Sequence, residues 1–565
     1  MGIPQREIAV RATGANNMRN YCTRCKGVLR NRVWLVAVLF VMLWTAPAKA
    51  DSRIIVRTTL GLQGLQQICN TVPLPICSVV GSLGDPLNRL FLVNSPLDAS
   101  TILSILRALP GIIDAEVDQL LSLLGGLNSV TTPPTALSES TLVSYYNSKV
   151  WNGYVTQPAA QIVRVVTAQH QFNVAGSGIV ADIDTGVDPN HPAFAGVLLQ
   201  GYDFTRNQSG ASELNDLSPT DFPYLPPPCA PANCPPANVN QESAAILEGW
   251  AATILDTNPN YAAFGHGTMV MGVIHLVAPK ASLLPLKAFS SAGTGYLSDI
   301  LRAINYANQN GANVINMSFN LMTSSPELST ALNQANKSGV ICAASAGNDG
   351  KEEVVYPAAI RTDVMGVAST SDLNTRSSFS NYGDQVVWVA APGEAIVTTY
   401  PFSTYAAGWG TSFSAPFVSG GAALLLNLKP GTNQPHAATD VAYAVYVGPD
   451  MGNGRLDLVR ALSAARGDFS ISVAPSSATI HRGAGEKITV TVTALQGFTS
   501  TVNLSVNGLP AQTSGAFSPS SITGTGTSVL TLQIGQSAPT GTYKLAIRGK
   551  SGSLVHSARM ILTIQ

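Results

Sequence analysis

Strand-like and helical patterns alternate through the middle of this chain, and this alternation constrains the fold more than any other feature. Residues 281–289 form an extended apolar run, and apolar residues then recur at helical spacing over residues 297–307. Residues 313–319 are the next strand, Ser325-Pro326 suits the cap and first turn of another helix, and residues 340–344 are a third strand. Strands joined by helices favour a parallel sheet with crossover helices, so we predict an α/β domain.

Single residues predict two further details of this region. Ser298 is the expected cap of the helix over residues 297–307, and Gly311 is its expected end. The strand over residues 340–344 brings Asn348 just beyond its carboxyl end. Ligands bind at that edge of open α/β sheets, so a functional site is expected there.

The charge of the chain is low and balanced. Of its 565 residues, 11% are charged and 45% are hydrophobic, and the 32 basic residues equal the 32 acidic ones in number. At about 150 residues per domain, the length indicates more than one domain. Because the sequence has no basic stripe, nucleic acid and anionic membrane surfaces are not favoured as partners.

Three segments, far apart in the chain, each place a reactive residue among small ones. Asp184 lies in Val-Ala-Asp-Ile-Asp-Thr-Gly, His266 in Gly-His-Gly-Thr, and Ser412 in Gly-Thr-Ser-Phe-Ser-Ala-Pro. Together these residue types make an activated nucleophile, in which the imidazole takes the hydroxyl proton and the carboxylate orients the imidazole. Asn348, in Ala-Gly-Asn-Asp-Gly, offers an amide that can bind a developing oxyanion.

These motifs differ in specificity. Asp-Thr-Gly alone also marks aspartic peptidases, but the chain contains no second copy. Glycines on both sides of His266 remove side-chain bulk beside the imidazole. The Ser412 segment is the most specific, because the apolar residues 417–426 suit a buried helix with Pro416 in its first turn. Ser412 would then lie at a helix N-terminus, where its backbone N–H and the side chain of Asn348 form a two-donor oxyanion hole.

In this order, the four segments resemble the subtilisin-like serine peptidases (subtilases) over residues 140–465. The order Asp, His, Ser separates that family from other serine triads. The resemblance implies a three-layer α/β domain with a mostly parallel sheet and an insertion between Asp184 and His266. It also implies that Asp184 orients the imidazole, His266 is the general base and acid, Ser412 is the nucleophile, and Asn348 donates to the oxyanion.

The substrate-binding residues match the family less well. Ser318, Phe319 and Asn320 correspond to a wall of the primary specificity pocket, and Gly347 is a further expected substrate-binding residue. Asn320 stands where the family has a glycine, so the side-chain preference of the pocket is not carried over by the resemblance.

Asp182 is a second departure, because the family has an apolar strand residue two positions before Asp184. Residues i and i+2 of a strand face the same side. Two interpretations stay open. Asp182 lies near His266 and, if ionised, raises the pKa of the imidazole; alternatively, it is a structural carboxylate hydrogen-bonded nearby.

The N-terminus is typical of an exported protein. Arg30 and Arg32 precede an apolar run over residues 33–44 that leads to Ala48-Lys49-Ala50, as in a secretory signal peptide cleaved after Ala50. This run is too short for a stable membrane span, which needs about 20 apolar residues. We therefore assign residues 1–50 to a signal peptide and expect a secreted, extracellular protein.

The cysteines fit this assignment. In an exported protein, Cys69–Cys77 and Cys229–Cys234 are expected to be local disulfides. Cys342 lies in an apolar run and is expected to be a small buried residue.

The rest of the chain divides into several predicted parts. Residues 51–130 resemble the family's inhibitory propeptide, with an unrelated N-terminal domain as the alternative, and residues 131–140 are a linker. Residues 141–466 are the peptidase domain, in which the proline-rich insertion over residues 203–262 is interpreted as a surface loop. From 468 to 565, hydrophobic residues alternate with polar ones, which indicates an antiparallel, immunoglobulin-like β-sandwich.

We therefore predict a secreted serine endopeptidase that hydrolyses proteins or peptides through an acyl-enzyme on Ser412 and is inhibited by its own propeptide. A non-catalytic binding protein on the same scaffold, and an esterase or amidase with the same triad, are the alternatives. The resemblance implies that catalysis requires no cofactor. Structural calcium is common in the family, but no acidic loop of this sequence locates a site, and the oligomeric state is not indicated.

Overall fold

The computed structural model of the protein describes residues 51–71, 75–123, 134–220, 237–239, 245–246, 258–495, 497–552 and 554–565. The predicted signal peptide and the predicted Cys229–Cys234 disulfide lie outside the described residues. We refer to residues 51–123 as the N-terminal unit, 134–466 as the central unit and 468–565 as the C-terminal unit.

The N-terminal unit is an antiparallel sheet with two helices on one face. Its elements are β1 (Ser52–Thr58), α1 (Gly61–Cys69), β2 (Ser78–Ser82), β3 (Leu90–Ser95), α2 (Ala99–Arg107), β4 (Ile112–Val117) and the short β5 (Leu120–Ser122), with sheet order β2-β3-β1-β4. Ile54 and Val56 of β1 pack under the helices, whereas Ile55 points to the opposite face and joins a core of the central unit. Cys69 and Cys77 form the expected disulfide.

The central unit is built from short strands and buried helices. Its strands are β6 (Leu142–Tyr145), β7 (Ser148–Trp151), β8 (Ile179–Asp184), β9 (Tyr202–Asp203), β10 (Gln208–Ser209), β11 (Ala237–Val239), β12 (Ala245–Ile246), β13 (Ser282–Lys287), β14 (Thr294–Tyr296), β15 (Val314–Met317), β16 (Ile341–Ser345), β17 (Met365–Thr370), β18 (Val389–Pro392), β19 (Ile396–Tyr400) and β20 (Thr404–Gly408). Its helices are α3 (Asn152–Thr156), α4 (Pro158–Ile162), α5 (Val165–Phe172), α6 (His266–Val277), α7 (Leu297–Gln309), α8 (Pro326–Lys337), α9 (Thr411–Leu428), α10 (Gln434–Val441) and α11 (Leu458–Arg466).

The predicted parallel sheet is confirmed. Eight strands lie in the order β10-β9-β13-β8-β15-β16-β17-β18, and every neighbouring pair from β9 to β18 is parallel. Side chains alternate between the two faces of this sheet. On β8, Val180 belongs to the core that contains α6 and α9, whereas Ala181 and Ile183 belong to the core that contains α7 and α8. The sheet is therefore covered by helices on both faces.

The α6–α9 side of the sheet forms the larger of these two cores. Every residue of α6 is buried, and so are residues 411–426 of α9. A helix that is apolar all round is stable only when it is fully enclosed. Cys342 is a buried free cysteine in the core on the other face, as expected.

Two predicted helix details are wrong. Helix α7 begins at Leu297, and its cap position is Tyr296, so Ser298 lies inside the first turn. Its N–H donates instead to Asp118 of the N-terminal unit, at 2.8 Å. Helix α9 begins at Thr411, which places Pro416 in its second turn rather than its first. The predicted cap Ser325 is confirmed, and Gly311, with φ of 73°, follows the end of α7 as expected.

The first residues of the predicted insertion, 203–217, do not form the surface loop that was predicted. Tyr202–Asp203 forms β9 and Gln208–Ser209 forms the edge strand β10, and Phe204, Glu213 and Leu217 are buried. The reason is that this segment returns to the main sheet and packs beside β13. The proline cluster itself lies outside the described residues.

The C-terminal unit consists of two packed sheets. Its strands are β21 (Asp468–Ala474), β22 (Ser477–Ile480), β23 (Gly485–Leu495), β24 (Thr501–Asn507), β25 (Thr513–Ser518), β26 (Ser521–Thr523), β27 (Gly526–Ile534), β28 (Gly541–Ser551) and β29 (Leu554–Ile564). The sheet orders are β21-β23-β27-β25 and β22-β29-β28-β24-β26. Pairing is antiparallel except between β22 and β29, and alternate residues such as Ile488, Val490, Leu530 and Leu532 form the core. Its immunoglobulin-like character stays a prediction.

Candidate active site

The four predicted reactive residues lie at the ends of secondary-structure elements. Asp184 is the last residue of β8 and His266 is the first residue of α6. Ser412 is the second residue of α9, and Asn348 follows the carboxyl end of β16. Because β8 and β16 belong to one parallel stretch of the sheet, their carboxyl ends share an edge, and both residues lie at the edge predicted for the site.

Asp184 and His266 are in direct contact. The imidazole Nδ1 lies 2.7 Å from Oδ1 and 2.8 Å from Oδ2 of Asp184. Both side chains are buried, and the N–H of Thr185 donates to Oδ1 of Asp184 at 2.6 Å. This contact keeps the proton of a neutral imidazole on Nδ1, so the lone pair on Nε2 is available to accept a proton.

Glycines allow the two segments to meet. A Cβ atom on Gly267 would lie 2.1 Å from the carbonyl oxygen of Gly186, and one on Gly265 would lie 2.2 Å from the ring of Tyr400. Gly265 also has φ of 91°, which is the left-handed region that favours glycine. Gly267 is therefore required by the close approach of the Gly186 backbone, and Gly265 by the Tyr400 ring and its own left-handed conformation.

Ser412 exchanges hydrogen bonds with Ser318. The Ser412 hydroxyl donates to the Ser318 carbonyl oxygen at 3.1 Å, and the Ser318 hydroxyl donates to the Ser412 carbonyl oxygen at 2.9 Å. The Ser412 carbonyl is free to accept this bond because Pro416, four residues later, has no N–H. The proline inside α9 thus connects the helix to the segment after β15.

The amide of Asn348 has a defined orientation. The N–H and the hydroxyl of Thr411 both donate to Oδ1 of Asn348, each at 2.9 Å. Since a backbone N–H can only donate, it identifies this atom as the oxygen. The Asn348 NH2 group is therefore the part of the side chain that can donate to another acceptor.

The four predicted substrate-binding residues are close together, but two of their side chains are buried. Ser318 and Phe319 have 1% and 2% of their surface exposed, and the Phe319 ring packs on Phe289 with 5.3 Å between centroids. Gly347 has φ of 95°, and a Cβ atom there would lie 3.2 Å from Nδ2 of Asn320. Ser318 and Phe319 can therefore reach a substrate only through their backbone atoms, whereas Asn320 is partly exposed.

Asp182 has different partners from Asp184. Its Oδ1 accepts from Nδ2 of Asn316 at 2.9 Å, and Asn316 in turn contacts the hydroxyls of Ser318 and Ser419. Its Oδ2 is buried and has no hydrogen-bond partner among the described residues. Burial, and then the charge of Asp184, raise the pKa of Asp182 well above its ordinary value. The structure favours a protonated, structural Asp182 over an ionised neighbour of His266.

Sequence reasoning missed Glu213, whose carboxylate touches the segments on both sides of the candidate pair. It accepts hydrogen bonds from Thr185, Thr268 and the N–H of Gly265. Glu213 lies within the predicted insertion, and no motif surrounds it. A buried charged residue in a segment assigned to a surface loop leaves no signal in a single sequence.

No group of three or more His, Cys, Asp or Glu side chains is placed to hold a metal ion within the described ranges. In the same part of the chain, none of the helices has both the length and the apolar character needed to cross a membrane.

Asp182→Asn should make the folded protein less sensitive to alkaline pH. A carboxyl whose folded pKa exceeds its unfolded pKa contributes stability that is complete below the unfolded value and is lost as pH rises towards the folded value. As pH rises from about 4 towards the folded pKa of Asp182, the free energy of unfolding of the wild type should therefore fall, relative to that of Asp182→Asn, by about 1.4 kcal/mol per pH unit. Urea denaturation at several pH values measures this difference, and a constant difference from pH 5 to 8 would contradict a protonated Asp182.

Comparison with known proteins gives the family. The model of the subtilase family matches residues 176–445. Thermitase of Thermoactinomyces vulgaris is 34% identical over 277 residues, which are 49% of this chain and 85% of thermitase. Subtilisin Savinase of Lederbergia lenta is 38% identical over 175 residues, or 29% of this chain and 64% of that protein. Subtilisin E of Bacillus subtilis (strain 168) is 39% identical over 188 residues, which are 31% of this chain and 49% of subtilisin E. The chain therefore belongs to the subtilase family, as a subtilisin-like serine peptidase.

Proposed function

We propose that this protein is a secreted endopeptidase that cleaves peptide bonds through an acyl-enzyme on Ser412. One observation carries the proposal: the Asp184 carboxylate lies 2.7 and 2.8 Å from Nδ1 of His266 at the end of β8, and the Ser412 hydroxyl is hydrogen-bonded to Ser318 just beyond the neighbouring strand β15. Subtilases need no cofactor for catalysis, so these side chains supply the chemistry.

In the proposed first step, the Ser412 hydroxyl leaves the carbonyl of Ser318 and donates its proton to Nε2 of His266. Its oxygen attacks the substrate carbonyl, and Asp184 stabilises the imidazolium that forms. The imidazolium then protonates the leaving amine. Water then attacks the acyl carbonyl while giving a proton to His266, and His266 returns that proton to the Ser412 oxygen as its bond to the acid product breaks.

Two donors are available for the oxyanion of the tetrahedral intermediate. The NH2 group of Asn348 is the first, because its oxygen is held by Thr411. The backbone N–H of Ser412 is the second, since N–H groups in the first turn of a helix have no acceptor within the helix. The positive end of the α9 dipole adds to this stabilisation.

Ser412→Ala and His266→Ala should each remove nearly all peptide hydrolysis, and the double variant should lose no more than either one, because the residues act as a unit. Asn348→Ala should lower kcat roughly a hundredfold with little change in KM. Ser414→Ala is the matched control, since this hydroxyl on the same helix donates only to the Pro392 carbonyl. Steady-state kinetics on a chromogenic peptide decides the assignment, which a Ser412→Ala variant with wild-type rates would overturn.

We also propose that the N-terminal unit is an inhibitory propeptide. Strand β5 pairs antiparallel with β14, with Leu121 opposite Gly295, and the side chain of Leu121 is buried in the core of the central unit. A strand added to the edge of the central unit is the expected binding mode of an extended peptide.

Charged contacts at two helix N-termini support this docking. Asp118 accepts from the N–H and the hydroxyl of Ser298, both at 2.8 Å, in the first turn of α7. Glu116 accepts from the Ser325 hydroxyl at 2.7 Å, at the cap of α8. Arg57 pairs with Glu327 in the first turn of the same helix. Carboxylates are favoured at helix N-termini, where N–H groups and the dipole present positive charge.

The wild-type protein in the culture medium should begin between about residues 120 and 150, because the linker after the N-terminal unit is cut by the active enzyme. Ser412→Ala should accumulate as a longer form that begins at Asp51, the residue after the predicted signal cleavage. N-terminal sequencing of both proteins tests this. An active enzyme that still begins at Asp51 would refute the propeptide assignment without affecting the triad.

A further inference from the structure

Glu213 is a fully buried carboxylate that neither the triad nor the oxyanion hole uses. It begins a short 3-10 turn, Glu213–Asp216, and has 0% of its surface exposed. Burying a charge is costly unless hydrogen bonds compensate it. Its partners therefore indicate what this carboxylate does in the fold.

All three partners of Glu213 flank the candidate pair. Oε2 accepts from the Thr185 hydroxyl at 3.0 Å and from the N–H of Gly265 at 3.0 Å. Oε1 accepts from the Thr268 hydroxyl. Thr185 follows Asp184, whereas Gly265 precedes His266 and Thr268 lies two residues after it. One carboxylate thus joins the segment of the aspartate to the segment of the histidine.

Each of the two threonine hydroxyls is oriented by a second hydrogen bond. Thr185 Oγ1 accepts from the N–H of Gly267 at 2.9 Å, and Thr268 Oγ1 accepts from the N–H of Asp188 at 2.8 Å. Each hydroxyl accepts a backbone N–H from the opposite segment and directs its own proton to Glu213. The three groups around Glu213 are therefore all donors, and they match an ionised carboxylate.

Two charged groups among the described residues interact with Glu213. Lys287 of β13 lies nearby and uses its ammonium on the Thr185 and Phe289 carbonyls and on Asp216. Asp182 of β8 is the other interacting group. Burial raises the pKa of Glu213 to about 7, against the opposing effects of the Thr268 hydrogen bond and Lys287. A pKa near 7 places the change of charge of Glu213 close to neutral pH.

We propose that Glu213 is a positioning residue whose ionised carboxylate holds Asp184 and His266 in their reactive alignment. The inference rests on the proposed triad. When Glu213 takes up a proton, the new O–H can bond only to a threonine hydroxyl that turns its own proton away, so the present set of three donors to Glu213 is broken. The segments of Asp184 and His266 are then joined less firmly, and kcat falls although no group that touches the substrate has changed.

Glu213→Gln tests this on the processed, secreted enzyme, because glutamine mimics the protonated carboxyl at every pH. The ratio of wild-type kcat to variant kcat should be close to one at pH 5.5 and rise to roughly tenfold at pH 8.5, the effect of about one hydrogen bond to a charged group. KM should stay unchanged, since Glu213 is buried away from solvent. A purely structural glutamate would give the same ratio at every pH, and that result overturns the inference.

Asp440→Asn is the matched control. Asp440 lies on α10, away from the three segments, and burial raises its pKa to about 6. The ratio of wild-type kcat to Asp440→Asn kcat should not vary with pH. If Glu213→Gln is not produced in folded form, Thr185→Val removes one of the same hydrogen bonds together with the acceptor of the Gly267 N–H, so the ratio of wild-type kcat to variant kcat should exceed one at every pH and still rise with pH. A ratio that stays constant with pH again overturns the inference. A wild type without peptidase activity would overturn the proposed function as well, whereas an active wild type with a constant ratio overturns this inference alone.

Discussion

The close approach of two backbone segments is the constraint on which the site depends. The turn after β8 touches the first turn of α6, and a Cβ atom on Gly267 would lie 2.1 Å from the Gly186 carbonyl oxygen. Only glycine permits this approach. It places the carboxylate of Asp184 against Nδ1 of His266 in a buried setting, where a charged hydrogen bond is stronger than in water. Glu213 connects the same two segments, because it accepts hydrogen bonds from Thr185 and from the N–H of Gly265.

The position of Ser412 depends on a second constraint, the proline inside α9. Pro416 leaves the Ser412 carbonyl without its helical donor, and Ser318 supplies a hydroxyl in its place. This bond connects helix α9 to the end of β15. The same segment contacts Asn316 and, through it, the buried Asp182. A polar network thus runs from the strand of the aspartate to the helix of the serine through the interior of the sheet.

Much of this architecture could be predicted from the sequence, because it follows from patterns that are local. The alternation of strands and helices gave the parallel sheet, and the cap at Ser325 and the disulfide Cys69–Cys77 follow from neighbouring residues. The small residues around Asp184, His266 and Ser412 identified the elements that meet at one edge. Long-range contacts could not be predicted in this way. Ser298 donates to Asp118, which is 180 residues away, so its local appearance as a cap was misleading. Glu213 is separated from Gly265 by the proline-rich segment, and no periodicity relates them.

The most direct test of the central claim, that Asp184 and His266 activate Ser412, is covalent labelling of the purified protein with a fluorophosphonate. The probe reacts with an activated serine hydroxyl and leaves ordinary serines unmodified. Peptide mass spectrometry should find the label on Ser412 in the wild type, and labelling of His266→Ala should be almost absent. Label on another serine, or equal labelling of His266→Ala, would contradict the account.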